Sequence, residues 1–141
     1  MLNTAPLGVS AQPGTQGSGI GNFNALLTAN SWELVGFREY AGSDSNNAVR
    51  DSGCGLRFGF DLNGSIFIKS RGNCLLNDLD QYCWRTTLNN GRQFLVLRSL
   101  PSGKIILRVE HFDGRLLTLT EQTTVFYSGK SVVRVYELLR L

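Results

Sequence analysis

The sequence predicts an all-β domain: about eight strands in an antiparallel meander closing into a lipocalin-like barrel, behind a short N-terminal helix and an uncharged arm. Three observations carry this expectation. From Trp32 onward the apolar residues recur with period two. Strong turn signals, Asn63-Gly64, Asn90-Gly91 and Asp113-Gly114 among them, separate the apolar runs at regular spacing. No stretch carries a long helical pattern. The same signals suit a sandwich, but a sequential meander left open would present two long edges, which closure removes.

Residues 1–21 contain five Gly, two of the three Pro, and several Ser, Thr and Gln. This is linker composition, with too little apolar surface to offset the entropy of ordering. It reads as a tether that is mobile in the isolated domain, or as an arm that orders on a neighbouring subunit through Leu2, Leu7, Val9 and Ile20. The domain proper then spans 22–141. Asn22 offers an N-cap ahead of Phe23, Ala25, Leu26 and Leu27, predicting a helix over about 23–29.

Trp32 and Leu34 open a first strand that runs to about Tyr40, and the polar stretch Ala41–Ser52 reads as a long loop. Leu56, Phe58, Phe60 and Leu62 alternate with Arg57, Gly59 and Asp61, a half-buried strand with the apolar set inward. Asn63-Gly64 turns it into a return strand, Ser65–Ser70. Tyr82, Trp84, Thr86 and Leu88 mark the next strand, and Asn89-Asn90-Gly91 leads into Phe94–Leu97. Pro101-Ser102-Gly103 turns the chain into Lys104–Phe112, Asp113-Gly114 into Arg115–Thr123, and Ser131–Leu141 alternates to the end.

Charge excludes some functions. The net charge is +3, and the eleven Arg are scattered singly from Arg38 to Arg140, without the stripe of a nucleic-acid binder. No stretch approaches the ~20 apolar residues of a membrane-spanning helix. Met1–Ser10 lacks the basic and apolar regions of an export signal.

The chain from Leu26 onward resembles the lipocalin-like domains of small exported proteins and lipoproteins of Bacteroidetes. The matching pieces are Leu26-Leu27 before Ser31-Trp32-Glu33-Leu34, then Cys54, then Phe58-Gly59-Phe60-Asp61-Leu62-Asn63-Gly64-Ser65. Cys74, Trp84, the apolar run Val109–Leu119 and the closing Tyr136-Glu137-Leu138 complete it. The resemblance covers about four-fifths of the chain; it departs from the family at Cys83, where a small residue is expected, and in showing no export signal. It implies a lipocalin-like barrel, an extracytoplasmic location and a Cys54–Cys74 disulfide, but no reaction.

The residues themselves leave alternatives to that pairing: three buried thiols, or a zinc site from Cys54, Cys74, Cys83 and His111, disfavoured because no C-x-x-C spacing occurs. His111 is the single histidine, and on a strand it faces away from Glu110, so an assembled base is not expected. Asp78 and Asp80 are too few for calcium, and Gly17-Ser18-Gly19-Ile20-Gly21 follows no strand, so it is linker rather than a nucleotide fingerprint. No enzymatic activity, cofactor or metal is expected. Trp32, Phe58, Phe60, Trp84, Phe94 and Tyr136 either fill the core or line a cavity for a small hydrophobic ligand. Two functions follow: a ligand-binding module, or a structural subunit of a larger assembly that docks on a protein partner through residues 1–21.

Overall fold

The computed structural model describes residues 20–41, 49–52, 54–72, 78–124 and 131–141. Among these, helix α1 (Ile20–Ala29) precedes nine strands: β1 (Ser31–Ala41), β2 (Val49–Ser52), β3 (Arg57–Phe60), β4 (Ile66–Ser70), β5 (Tyr82–Asn89), β6 (Arg92–Ser99), β7 (Gly103–Phe112), β8 (Leu116–Thr124) and β9 (Ser131–Arg140). They form one antiparallel sheet in the order β4-β3-β1-β9-β8-β7-β6-β5. From β5 to β9 consecutive strands are neighbours, and β9 returns to pair with β1. β2 and β3 lie along the same edge of β1, one opposite Gly36–Glu39 and the other opposite Ser31–Glu33, so together they act as one interrupted strand. The path curls into a half-barrel. Its two ends meet at the bridge Ser65↔Cys83, reinforced where the Trp84 amide donates to Gly64 O at 2.8 Å.

The turns show why these residues reverse the chain. At Asn89–Arg92, Asn90 (φ 53°) and Gly91 (φ 76°) are both left-handed, as a two-residue hairpin matched to strand twist requires. The Asn63-Gly64 hairpin is longer than the two residues expected. The Asp61 amide donates to Ser65 O and the Gly64 amide to Asp61 O, which leaves Leu62, Asn63 and Gly64 as a three-residue loop. Leu62 sits at its tip, 86% exposed, which corrects the expectation that it points inward. Arg57, Asp61 and Arg85 are exposed, as alternation requires.

Two further boundaries differ from expectation. α1 starts at Ile20, so Asn22 lies inside the helix rather than capping it. Residues 1–19 of the arm are outside the described residues. Val49–Ser52, expected as loop, pairs with β1, and 42–48 lie outside the described residues.

Phe23 and Leu27 of α1 are buried in the same core as the strands, against β3 and β5, on either side of the weak joint. The Trp32 indole N–H donates to Leu27 O at 3.2 Å and fixes the helix to the start of β1. The helix therefore covers one end of the sheet, where β1 begins and β9 finishes. The opposite end carries Ala41, Thr124 and Ser131, the strand termini farthest from α1.

Candidate functional site

Five of the six aromatic residues singled out from the sequence share the interior. Trp32, Phe58, Phe60, Trp84 and Tyr136 all belong to the buried core. Phe60 packs edge-on against both Phe58 and Trp84, with centroids 5.7 and 5.4 Å apart, and Phe37 lies 5.3 Å from Tyr136. The Trp84 indole N–H donates to Asp61 O at 2.9 Å, so this ring also holds the 61–65 loop against β5. Phe94 is different. It pairs with Arg108, while its neighbour Leu95 pairs with Leu107 in the core, so Phe94 stands on the outer face. Its expected inward position fails because β6 is apolar on both faces, and alternation gives no phase there.

Between Phe58, Phe60, Leu95, Leu107, Leu119 and Tyr136 lies a wholly apolar cavity of about 30 Å³. That is room for a single water, well short of the ~300–1,000 Å³ of typical ligand pockets. The aromatic residues fill this part of the interior.

Towards the end opposite α1, the interior face turns polar. A bulge between Leu34 and Gly36 shifts the phase of β1, so that Phe37 pairs with Tyr136 and Glu39 with Arg134. Glu121 pairs with Arg134 from the other side, which brings two carboxylates and one guanidinium into one row. Arg134 Nε donates to Glu39 Oε2 at 2.8 Å, and its Nη1 lies 3.7 Å from Glu121 Oε1. The Tyr136 hydroxyl donates to the same Glu121 oxygen at 3.1 Å, and Glu121 is only 9% exposed. Burial, then the Glu121 charge, pushes the Tyr136 hydroxyl well above the usual tyrosine range. The Glu39 carboxylate raises Arg134 further above its ordinary value. Sequence patterning does not single out this cluster, although Arg134 and Glu121 share the phase of the buried Leu138 and Leu119. Glu39 carries no such signal, because the bulge reverses its face.

The remaining candidates do not converge. His111 is exposed; Glu110, beside it, is taken by Arg108 through two contacts of 2.6 and 3.0 Å. Asp113 caps its turn by accepting the amides of Leu116 and Arg115, which hold its carboxyl below the usual range. Asp80 pairs with Arg71 at 2.6 Å. Among the described residues no three His, Cys, Asp or Glu side chains group as a metal site, and no helix is long and apolar enough to cross a membrane. Cys83 is a free, exposed thiol. Cys54 is half-buried with its Sγ 3.8 Å from Leu34 O, and Cys74 lies outside the described residues.

Compared with known proteins, the chain matches no family model, no curated protein and no solved structure.

Proposed function

We propose that the chain is a non-enzymatic, lipocalin-like binding module that holds a small hydrophobic ligand with a polar head. The supporting observation is the inward-facing set Glu39, Arg134, Glu121 and Tyr136 above an otherwise apolar interior. Burying charge often costs more than it returns in stability, so a purely structural barrel is better served by apolar side chains at these positions. A few convergent polar groups over an apolar floor are what orients a ligand. With the floor filled, the ligand seats at the end away from α1. Two carboxylates against one guanidinium favour a cationic head.

Titration calorimetry with decylamine and decanoate tests this. The expected result is saturable one-to-one binding with the amine preferred, and Glu121→Gln narrowing that preference by about tenfold, or ~1.4 kcal/mol. Absence of saturable binding of either compound to folded protein would overturn the reading. It would leave the second one, a structural subunit, which the 30 Å³ cavity favours because a filled barrel does its work on its surface. An extracytoplasmic location and a Cys54–Cys74 bridge belong to the same proposal. They rest on the resemblance to exported lipocalin-like domains and on the close approach of Gly72 to Cys54.

A further inference from the structure

The outer face of the sheet carries a second concavity, of about 420 Å³, whose lining shares only Glu121 with the interior polar cluster. Its lining includes Tyr40, Phe94, Ile106 and Val133, drawn from β1, β6, β7 and β9. The pairings Phe94↔Arg108, Arg108↔Thr120 and Thr120↔Val135 set these strands side by side on the face opposite the core. Val96 and Val135, on the same face, keep only 4% and 3% exposure, whereas Ile106 between them is 48% exposed. Arg108, Glu110, Thr120 and Glu121 complete the lining, so the groove is apolar only in part, and that exposed apolar part asks for an occupant.

We propose that this groove is the docking site of the chain's own N-terminal arm, residues 1–19, and chiefly of Leu2 to Val9. Length permits it. α1 begins at Ile20 and packs on β5, the neighbour of the strand that carries Phe94. An extended arm of this length reaches about 60 Å, at ~3.3 Å per residue. The groove, five strands wide at ~4.8 Å spacing, is about 19 Å across. Charge permits it too. Arg108 and Glu110 at the groove already match each other, 2.6 Å apart. They call for no counter-charge, and a charged segment would be desolvated there without a partner. Residues 1–19 hold no charged side chain and offer Leu2, Leu7 and Val9. Tethering to α1 makes the contact intramolecular, so the apolar side chains of Leu2, Leu7 and Val9 have only the ordering of the arm to offset, which the isolated arm, without the groove, does not do.

Amide hydrogen exchange on the full chain, with its mass in solution checked by light scattering, decides the matter. The arm amides of residues 2–9 are expected to exchange slowly in the monomer. That protection is expected to be lost both in Ile106→Asp, at a half-exposed position that the fold tolerates, and in Leu7→Asp, which leaves the groove untouched. Fast exchange of the arm in the wild-type monomer overturns the proposal. So does protection that rises with protein concentration alongside a dimer, which places the arm on a neighbouring copy.

Discussion

Tyr136 combines a core ring with a buried hydroxyl, and its chemistry is set by one neighbour. The ring packs on Phe37, and the hydroxyl donates to Glu121. Deprotonating it would put a second negative charge beside Glu121 in a dry place, so in the folded state the proton is held past the ordinary value of ~10. The sign of the linkage follows. Above about pH 10 the unfolded chain releases this proton and the folded chain keeps it, so stability falls as pH rises, by up to ~1.4 kcal/mol per pH unit. Thermal melts from pH 8 to 11 are expected to show this decline, and Tyr136→Phe to remove its share of it. At neutral pH the same variant loses about 1 kcal/mol, the net worth of the hydrogen bond. If the alkaline decline is identical in Tyr136→Phe, the hydroxyl is not the buried acid described. A second residue-scale fit lies across the β3–β4 hairpin, where Gly59 pairs with Phe67 and leaves room for its ring. A Cβ at Gly59 would collide with that ring, so this exposed phenylalanine covers backbone rather than standing free.

The elements differ sharply in how firmly they are joined. β8 and β9 pair along nine registered positions, whereas β4 and β5 meet through the Ser65↔Cys83 bridge and the Trp84 amide. α1 spans that weak joint through Phe23 and Leu27, so the helix holds the sheet where the strands do not. Leu27→Ala, at a fully buried position, is expected to cost about 2–5 kcal/mol in denaturant unfolding. Trp84→Phe keeps most of the ring but removes the N–H that reaches Asp61 O. Exchange is expected to speed up across the 61–65 loop and the start of β5 with β8 and β9 unchanged; a uniform change across the sheet would show that the joint is not a local weak point. Most of these elements were legible in the sequence because period two and Asn-Gly or Asp-Gly turns are local signals. What escaped it depended on partners. β2 is a short, mostly polar segment, Val49–Ser52, that becomes a strand only beside β1. The bulge at Gly36 inverts the phase of β1 through its register with β9, and that hid Glu39 from the candidate site.

At the scale of the whole molecule, the interior divides into an apolar half sealed by α1 and a polar half at the far end. The aromatic interior was readable from the sequence, since five of the six aromatic residues singled out lie in the buried core. The polar half was not, because charge at an inward position looks the same in sequence as charge at a strand end. The proposed disulfide bears on how the β3–β4 hairpin is tied into this frame. Gly72 runs so close to Cys54 that a Cβ there would strike the Cys54 carbonyl, which places position 72 beside one half of the proposed bridge and only two residues along the chain from the other. Closing a loop of this size contributes about 3 kcal/mol on the chain-entropy account, and an oxidising compartment is needed to keep it closed. Peptide mapping without reductant must separate two cysteines that trypsin leaves together, since Gly72–Arg85 contains both Cys74 and Cys83. A second cleavage before Asp78 or Asp80 separates them. The expected product joins the Cys54 peptide to the Cys74 peptide, with Cys83 alone alkylated, in keeping with its exposure. Reduction is then expected to lower the melting temperature. Alkylation of all three cysteines in air-oxidised, folded protein would remove the bridge, and with it the main chemical reason to place the chain outside the cytoplasm.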